Sequence, residues 1–295
     1  MYERILVTLD GSKLAERAIP YAEMIAKTMG SRIMLLSAHD KREGIEHPLE
    51  SYLYDVADKL HKSGLEATAH LANGNAADQI IDFTEKTGID LVIMCTHGNT
   101  GVSRWSFGGV SNKVMHELYC PLLLIKTGAC ALPSMMDGPL SILTPLDGSE
   151  ISEEALHHTA ALAQGKDSSV VLLRVDETTN SAVITNASTK ANSTASRGKI
   201  SSRRQSNIHS YLGTVRDKKL HLDSRKVICE VMYGRPAEEI IRYAELHDIS
   251  MIVITTHGRS QYSQWAFGSV ANKVVQGTSK PTLIVRSKPT ILNLC

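Results

Sequence analysis

The sequence predicts an α/β protein with two tandem doubly wound domains, each built on a five-stranded parallel sheet in the order 3-2-1-4-5. The first observation behind this is a duplication. The motif that begins Thr96-His97-Gly98 returns 160 positions later as Thr256-His257-Gly258, and both copies continue with Ser, Trp, Phe-Gly, Val and Asn-Lys-Val at the same spacing. Each half of a duplicated chain must supply its own strands, helices and turns, so both halves are expected to share one fold.

A second repeated motif shows that the second half carries an insertion. Residues 5–12 (Ile-Leu-Val-Thr-Leu-Asp-Gly-Ser) return 137 positions later at 142–149 as Ile-Leu-Thr-Pro-Leu-Asp-Gly-Ser. The two offsets differ by 23 residues, and the run at about 178–210 is the expected place because it is rich in Ser, Thr, Asn and Arg with almost no apolar periodicity. Its basic stretch at 196–204 is typical of a solvated, mobile loop, and a phosphorylation target or an anion-binding arm are the alternatives.

The elements of the first half follow from its apolar pattern. A strand at 5–9 leads into the Asp10-Gly11-Ser12 turn, and apolar residues at three- and four-residue steps over 14–29 predict a helix directly after it. Short continuous apolar runs then alternate with helical patterns, as in a parallel sheet covered on both faces. Further strands are predicted at 33–36, 66–71, 91–94 and 121–125, and further helices at 49–60 and 76–83.

The second half repeats this order and completes the domain plan. We expect a first domain at 1–127, a linker at 128–138 and a second domain at 139–288 that contains the insert. Right-handed crossovers give the strand order 3-2-1-4-5, whose switch point lies between strands one and four, where open α/β sheets bind ligands. Both repeated motifs follow these two strands, so a ligand site is expected there in each half. The strands are predicted at 141–145, 170–175, 227–231, 250–254 and 282–285.

Composition restricts the classes of partner. The chain of 295 residues, 42% of them apolar, can bury a core in each of two domains. A formal net charge of +1 gives no general attraction to nucleic acid or to an anionic membrane. The five cysteines show no zinc-type spacing, and no signal-like or membrane-spanning apolar run is present, so a cytoplasmic protein with reduced thiols and no metal site is expected.

Glycines at the start of the last helix of each half point to a phosphate ligand. Backbone N–H groups at such a helix start, near Val110 and Val270, can bind phosphate oxygens. Ser269 adds a hydroxyl in the second half, where the first half has Gly109. The alternative is that the glycines only turn the chain into the helix. The glycine pairs are Gly98 and Gly108 in the first half and Gly258 and Gly268 in the second.

Acidic and histidine side chains beside these glycines are the other candidates. Asp10 and Asp147 can accept hydrogen bonds from a ribose hydroxyl or a base amine, or can cap the following helix. His97 and His257 can contact a phosphate or donate a proton, or can bond to the backbone. Because no partnered carboxylate or nucleophile stands near them in sequence, no catalytic residue is predicted.

Together these residues resemble the universal stress protein family, in its tandem form with two copies in one chain and a fold like that of the adenine nucleotide alpha hydrolases. The run Pro145-Leu146-Asp147-Gly148-Ser149 is similar to the motif that ends the family's first strand, with Thr8 replacing the proline in the first half. Nucleotide-binding members carry Gly-x-x-Gly, nine residues, and then Gly-Ser/Thr. This chain has the last two elements, but Cys95 and Thr255 occupy the place of the first glycine.

The resemblance implies a regulatory stress-response protein that binds ATP or AMP, with or without Mg, and has at most slow ATP hydrolysis. The second half is the better candidate, because only the second half keeps the final serine. In both halves, Cys95 or Thr255 puts a side chain where the ligand would approach. A nucleotide-free interaction module is therefore the alternative. The residues expected at the two sites are Thr8, Asp10, Ala38, His97, Gly98, Gly108 and Gly109, and Pro145, Asp147, Gly148, Val175, Thr255, His257, Gly258, Arg259, Gly268, Ser269 and Val270.

The resemblance also bears on the backbone contacts and on assembly. It implies that backbone groups near Ala38 and Val175, at the end of strand two, meet the adenine. It implies that the last strands, at 121–125 and 281–285, pair edge to edge, which makes the chain a covalent pseudo-dimer and leaves a further homodimer open. The Ser-Gly-Gly-x-Asp-Ser loop of the related ATP-dependent ligases is absent after strand one, which argues against an adenylate-transfer enzyme.

Overall fold

The computed structural model describes residues 1–39, 46–96, 108–126, 139–164, 168–177, 194–220, 222–223, 226–257 and 267–286, with the side chains at 46–47 and 194–204 left aside. The chain divides into two compact units. The first consists mainly of Met1–Gly138 and Ser279–Cys295, and the second mainly of Pro139–Gln261 and Gly268–Thr278. Each unit is an α/β structure, as the sequence predicts.

The first unit contains the predicted doubly wound sheet. Its strands stand in the order β3-β2-β1-β4-β5, and all four pairings are parallel. All five residues of β4 are buried, which fits a strand covered on both faces. The strands are β1 (Arg4–Thr8), β2 (Arg32–His39), β3 (Ala67–Asn73), β4 (Leu91–Cys95) and β5 (Leu122–Ile125), and the helices are a 3₁₀ turn (Ala15–Ala18), α1 (Ile19–Met29), α2 (Glu46–Lys62), α3 (Ala76–Thr87) and α4 (Gly109–Glu117).

The second unit repeats the first four strands. They stand in the order β8-β7-β6-β9 with parallel pairings, so strands one and four of this half, β6 and β9, are neighbours as predicted. The strands are β6 (Ser141–Pro145), β7 (Ser169–Asp176), β8 (Val227–Tyr233) and β9 (Met251–Thr255), and the helices are α5 (Glu150–Glu153), α6 (Ala155–Leu162), α7 (Thr194–Lys219), α8 (Pro236–Leu246) and α9 (Ser269–Gly277).

The fifth strand of the second half, β10 (Thr282–Val285), is grouped with the first unit. There it pairs antiparallel with β5, with Leu283 opposite Leu123. This is the pairing of last strands that the resemblance implied. All residues of both strands are buried, so the pairing joins apolar faces as well as backbone groups.

Helix α7 corrects the interpretation of the insert. The basic stretch at 196–204 was expected in a solvated, mobile loop, but it lies within a 26-residue helix, so the loop interpretation is wrong there; residues 178–193 lie outside the described residues. The reason is an apolar stripe that begins where the predicted insert ends. Ile208, Tyr211, Leu212 and Val215 recur at three- and four-residue steps, and Leu212 and Val215 are fully buried. Within the part of the chain that the structure describes, no helix is both long and apolar enough to cross a membrane.

The start of α3 provides a test of how the fold is stabilised locally. The Asn75 side chain accepts hydrogen bonds from the N–H groups of Ala77 (3.1 Å) and Asp78 (3.4 Å). We expect Asn75→Ala to lower the free energy of unfolding by about 1 kcal/mol, because these N–H groups lose their cap. Arg235, at the corresponding position before α8, makes no side-chain cap, so Arg235→Ala is the matched control. Urea unfolding followed by circular dichroism measures both, and equal effects of the two changes would contradict the capping role.

Candidate functional site

The second unit contains a cavity of about 680 Å³ at the carboxyl ends of its central strands. Its wall is formed by the turn after β6, the ends of β7 and β9, and residues of α7, α8 and α9. This is the switch point between β6 and β9 that the strand order predicts. The two repeated motifs of the second half therefore meet at one cavity.

The turn after β6, here called the acidic turn (residues 147–149), is shaped by its own carboxylate. Asp147 Oδ1 accepts hydrogen bonds from the Ser149 N–H (2.9 Å) and the Ser149 hydroxyl (2.5 Å). Ser149 Oγ then accepts from the Ser152 N–H at 3.2 Å, which caps α5. Gly148 has a φ of +82°, which favours glycine. The turn thus holds a half-buried carboxylate in the wall of the cavity.

The first half builds the same turn with the same geometry. Asp10 Oδ1 accepts from the Ser12 N–H at 3.0 Å, and Gly11 has a φ of +79°. In both halves the aspartate accepts an N–H within its own turn, whereas the cap of α5 comes from Ser149 and the 3₁₀ turn at Ala15–Ala18 has no side-chain cap. This turn bond is a structural role of the aspartate. It does not exclude ligand contact, since a carboxylate has four acceptor positions.

The two side chains that replace the first motif glycine behave differently. Thr255 Oγ1 donates to the carbonyl of His257 at 2.8 Å, so this side chain bonds within its own loop and the cavity persists beside it. In the first half the Cys95 thiol donates to the Leu14 carbonyl at 2.9 Å, across to the segment that follows the acidic turn. Burial raises the pKa of the Cys95 thiol to about 12, so it stays a protonated, packed group.

Gly268, the residue before α9, must be a glycine because it lies directly against the loop that follows β9. The Gly268 N–H donates to the Thr256 carbonyl at 2.8 Å, and a Cβ at Gly268 would lie 2.4 Å from that oxygen. Gly108 makes the equivalent bond to Thr96 at 3.0 Å. These glycines thus have a structural reason of their own, which supports the alternative reading at this position.

The start of α9 offers donors to the cavity. The Asn272 N–H is bonded to the Gly268 carbonyl at 2.9 Å, whereas the N–H groups of residues 269–271 precede the first such bond, as at any helix start. Ser269, Val270 and Ala271 all line the cavity. The positive end of the helix therefore faces the space that the acidic turn bounds.

His257 adds a polar atom to the same wall. Its Nδ1 lies 3.0 Å from the Thr256 hydroxyl oxygen, while its Nε2 is buried and finds no hydrogen-bond partner among the described residues. A buried ring nitrogen without a partner is costly, so a bound group that bonds to it would stabilise the site.

Nearly all predicted residues of the second half lie on this cavity. The exceptions are Gly258 and Arg259, which lie outside the described residues, as do His97 and Gly98 of the first half. Thr8, Asp10, Ala38, Gly108 and Gly109 stand at the corresponding strand ends and helix start of the first unit. The residues on the wall are Pro145, Asp147, Gly148, Val175, Thr255, His257, Gly268, Ser269 and Val270.

Sequence reasoning missed Arg174 in the cavity wall. Arg174 is buried, and its Nη1 donates to the Leu146 carbonyl at 3.2 Å. The same atom lies 3.2 Å from where a Cβ of Gly148 would be, so the guanidinium packs under the acidic turn. The first half has Ser37 at this strand position, and therefore no repeated residue pointed to it.

The contribution of α7 to the wall was also missed, although a signal for it exists. Ser51-Tyr52-Leu53-x-x-Val56 returns 159 positions later as Ser210-Tyr211-Leu212-x-x-Val215. This third repeat makes the described part of α7 the counterpart of α2 and puts the insertion ahead of it. Asn207, Ile208 and Tyr211 line the cavity. No group of three or more His, Cys, Asp or Glu side chains suited to a metal ion is found among the residues described.

Comparisons with known proteins agree with this architecture. The sequence model of the universal stress protein family matches residues 1–126 and 140–286, so the chain belongs to this family. Universal stress protein Slr1230 of Synechocystis is 22% identical over 318 residues, covering 96% of this chain and all of the relative. Universal stress protein MJ0531 of Methanocaldococcus jannaschii is 27% identical over 141 residues, covering 43% of this chain and 83% of the relative.

A solved structure extends the likeness of the fold over both halves. The functionally unknown protein PA1789 from Pseudomonas aeruginosa superposes with a TM-score of 0.73 at 17% identity, covering 97% of this chain and 92% of that one. The fold of both halves thus has a counterpart in a solved structure.

Replacing Gly268 tests the contact that sets the start of α9. Gly268→Ala is expected to lower the free energy of unfolding by about 2 kcal/mol, because its Cβ would overlap the Thr256 carbonyl and the helix start would have to move. Gly109→Ala is the control at a helix start, since a Cβ there meets nothing within 4 Å. Thermal and urea unfolding measure both variants. A Gly268→Ala protein as stable as the control would show that α9 does not depend on this contact.

Proposed function

We propose that this chain is a cytoplasmic stress-response regulatory protein that binds an adenine nucleotide, ATP or AMP, in the cavity of its second unit without rapid turnover. The observation that carries the proposal is the convergence of the acidic turn and the start of α9 on one cavity. A volume of about 680 Å³ lies in the usual range for small-molecule sites.

The phosphate end of the ligand belongs at α9. N–H groups of residues 269–271, the Ser269 hydroxyl and the positive end of the helix supply donors and charge of the required sign. His257 Nε2, which finds no hydrogen-bond partner within the part of the chain that the structure describes, lies in the same wall and can bond to a phosphate oxygen or hydroxyl. Where Mg accompanies ATP, the phosphates would supply much of its coordination, since Mg²⁺ keeps water and phosphate ligands.

The nucleoside end belongs at the acidic turn and β7. The Asp147 carboxylate can accept the hydroxyls of a ribose, and Val175, at the end of β7, offers backbone groups to a base. Pro236 and Ile240 make this part of the wall apolar. A planar base bonded at its edge and a charged phosphate at a helix start match the two ends of the cavity.

The first half is a poorer site on two observations. The Cys95 thiol donates to the Leu14 carbonyl of another segment, whereas its counterpart Thr255 bonds within its own loop, and Gly109 lacks the hydroxyl that Ser269 supplies. We therefore expect one nucleotide per chain, in the second unit.

Matched substitutions in the acidic turn and in the corresponding turn of the first half test whether the nucleotide binds in the second unit. Asp147→Asn keeps an oxygen that can accept the Ser149 N–H but removes the charge offered to the ribose. We expect it to weaken AMP and ATP binding about tenfold, the loss typical of a hydrogen bond to a charged group. Asp10→Asn makes the same change in the first half and is expected to leave binding unchanged. Isothermal titration calorimetry of the purified chain gives affinity and stoichiometry for all three proteins.

Other outcomes would favour the competing functions. The absence of heat and of any thermal shift with millimolar ATP or AMP would leave a nucleotide-free interaction module as the better account. Release of ADP or AMP above background that is lost in Asp147→Ala would instead indicate an ATP hydrolase.

A further inference from the structure

Helix α7 closes the cavity on the β7 side. It contacts β7 and β8, and it contributes Asn207, Ile208 and Tyr211 to the wall. In the order β8-β7-β6-β9, this side lies across β6 from β9 and the start of α9. A ligand whose phosphate lies at α9 must therefore extend its other end toward β7 and α7.

A carboxylate ties α7 to the acidic turn. The Tyr211 hydroxyl donates to Glu153 Oε1 at 3.0 Å, and Lys219 Nζ donates to Glu153 Oε2. Glu153 ends the short helix that directly follows the acidic turn, and in that helix Ser152 Oγ accepts the N–H of Asp147 at 3.3 Å. Movement of α7 and movement of the acidic turn are thus linked through α5.

The first half has a related pair, because burial and then the neighbouring Glu16 raise the pKa of Tyr52. Glu16, however, also forms an ion pair with Lys13 of its own segment at 2.8 Å. The second half has Glu150 where the first has Lys13, so Glu153 has no such lysine beside it in sequence. In the second half, both hydrogen-bond donors to Glu153, Tyr211 and Lys219, lie on α7.

The apolar side chain three residues before the tyrosine, Leu49 in the first half and Ile208 in the second, also differs in its surroundings between the halves. In the first half, Leu49 Cδ1 lies 3.3 Å from where a Cβ of Gly11 would be, so α2 rests directly on the corresponding turn at residues 10–12. In the second half, the Arg174 guanidinium holds that place beneath Gly148, and Ile208, the counterpart of Leu49, is half-buried in the cavity wall.

We propose that α7 is the base-selecting wall of the nucleotide site, with Ile208 packing against the purine and Tyr211 acting through Glu153 as a positioning residue. The proposal rests on the proposed function and deepens it. Ile208 and Val175 offer apolar surface on the side where the base must lie, and a purine covers more of this surface than a pyrimidine does. The wall therefore selects AMP over CMP.

Calorimetric titration of AMP and CMP into the full chain tests the role of Ile208. Ile208→Ala is expected to weaken AMP binding roughly tenfold and CMP binding by less, so that the AMP-to-CMP affinity ratio falls. His209→Ala, at an exposed position of α7 outside the wall, and Leu49→Ala, at the corresponding position of the first half, are expected to change neither affinity. Ile208→Val, which removes one methyl group, gives a smaller change in the same direction and guards against loss of folding.

The tie through Glu153 has its own test. Tyr211→Phe and Glu153→Ala are expected to weaken AMP binding about threefold to fivefold, about the loss of one hydrogen bond. Glu153→Gln keeps an oxygen that can accept the Tyr211 hydroxyl and is expected to restore most of the affinity. Tyr52→Phe is the matched control in the first half, and its AMP affinity should equal that of the unchanged protein.

The outcomes separate this inference from the proposed function. If the unchanged chain binds neither AMP nor ATP, the proposed function fails. If it binds AMP but Ile208→Ala and His209→Ala have the same AMP-to-CMP ratio, the base-selecting wall is wrong and nucleotide binding stands. If Glu153→Gln loses as much affinity as Glu153→Ala, Tyr211 does not act through Glu153.

Discussion

The contact between the Gly268 backbone and the Thr256 carbonyl fixes where the last helix of the second unit starts, and the candidate site depends on that position. With a Cβ-free residue at this point, the helix start lies directly against the end of β9. Because β9 and β6 are neighbours, the donors of α9 then lie on the same cavity as the acidic turn. A doubly wound sheet by itself forms the crevice. The close contact between Gly268 and Thr256 places the hydrogen-bond donors of α9 in it.

Duplication followed by divergence accounts for the differences between the two halves. Both halves keep the acidic turn and the glycine at the helix start, since these hold the chain in shape as well as bounding a crevice. The differences lie at positions around the crevice. Cys95 contacts the Leu14 carbonyl, whereas its counterpart Thr255 bonds within its own loop, and Ser37 is replaced by the buried Arg174. These differences are the basis on which we propose the second half as the nucleotide site.

The sequence predicts the strands and the placing of the two motifs well, because both depend on local patterns that occur twice. Continuous apolar runs identify β4 and β9 directly, and their burial confirms them. The stretch at 196–204 was wrongly interpreted as a loop because the first part of α7 is polar and the apolar stripe of this helix begins only at Ile208. The repeat of Ser-Tyr-Leu-x-x-Val was present in the sequence and would have identified it.

The hydrogen-bond partners of Cys95 and Thr255 were not predictable from the sequence. A small side chain in place of the first motif glycine can bond back to its own loop or across to another segment, and the choice depends on tertiary contacts. Thr255 and Cys95 make opposite choices. Arg174 lies in a buried strand where apolar residues prevail, so only the packed structure shows that its guanidinium reaches the acidic turn.

A crystal structure of the chain grown with AMP tests the central claim most directly. We predict density for one AMP per chain, with the phosphate at the N–H groups that begin α9, the ribose at Asp147 and the adenine between Val175 and Ile208. Saturating AMP that leaves this cavity empty, or that binds only elsewhere on the chain, would contradict the account.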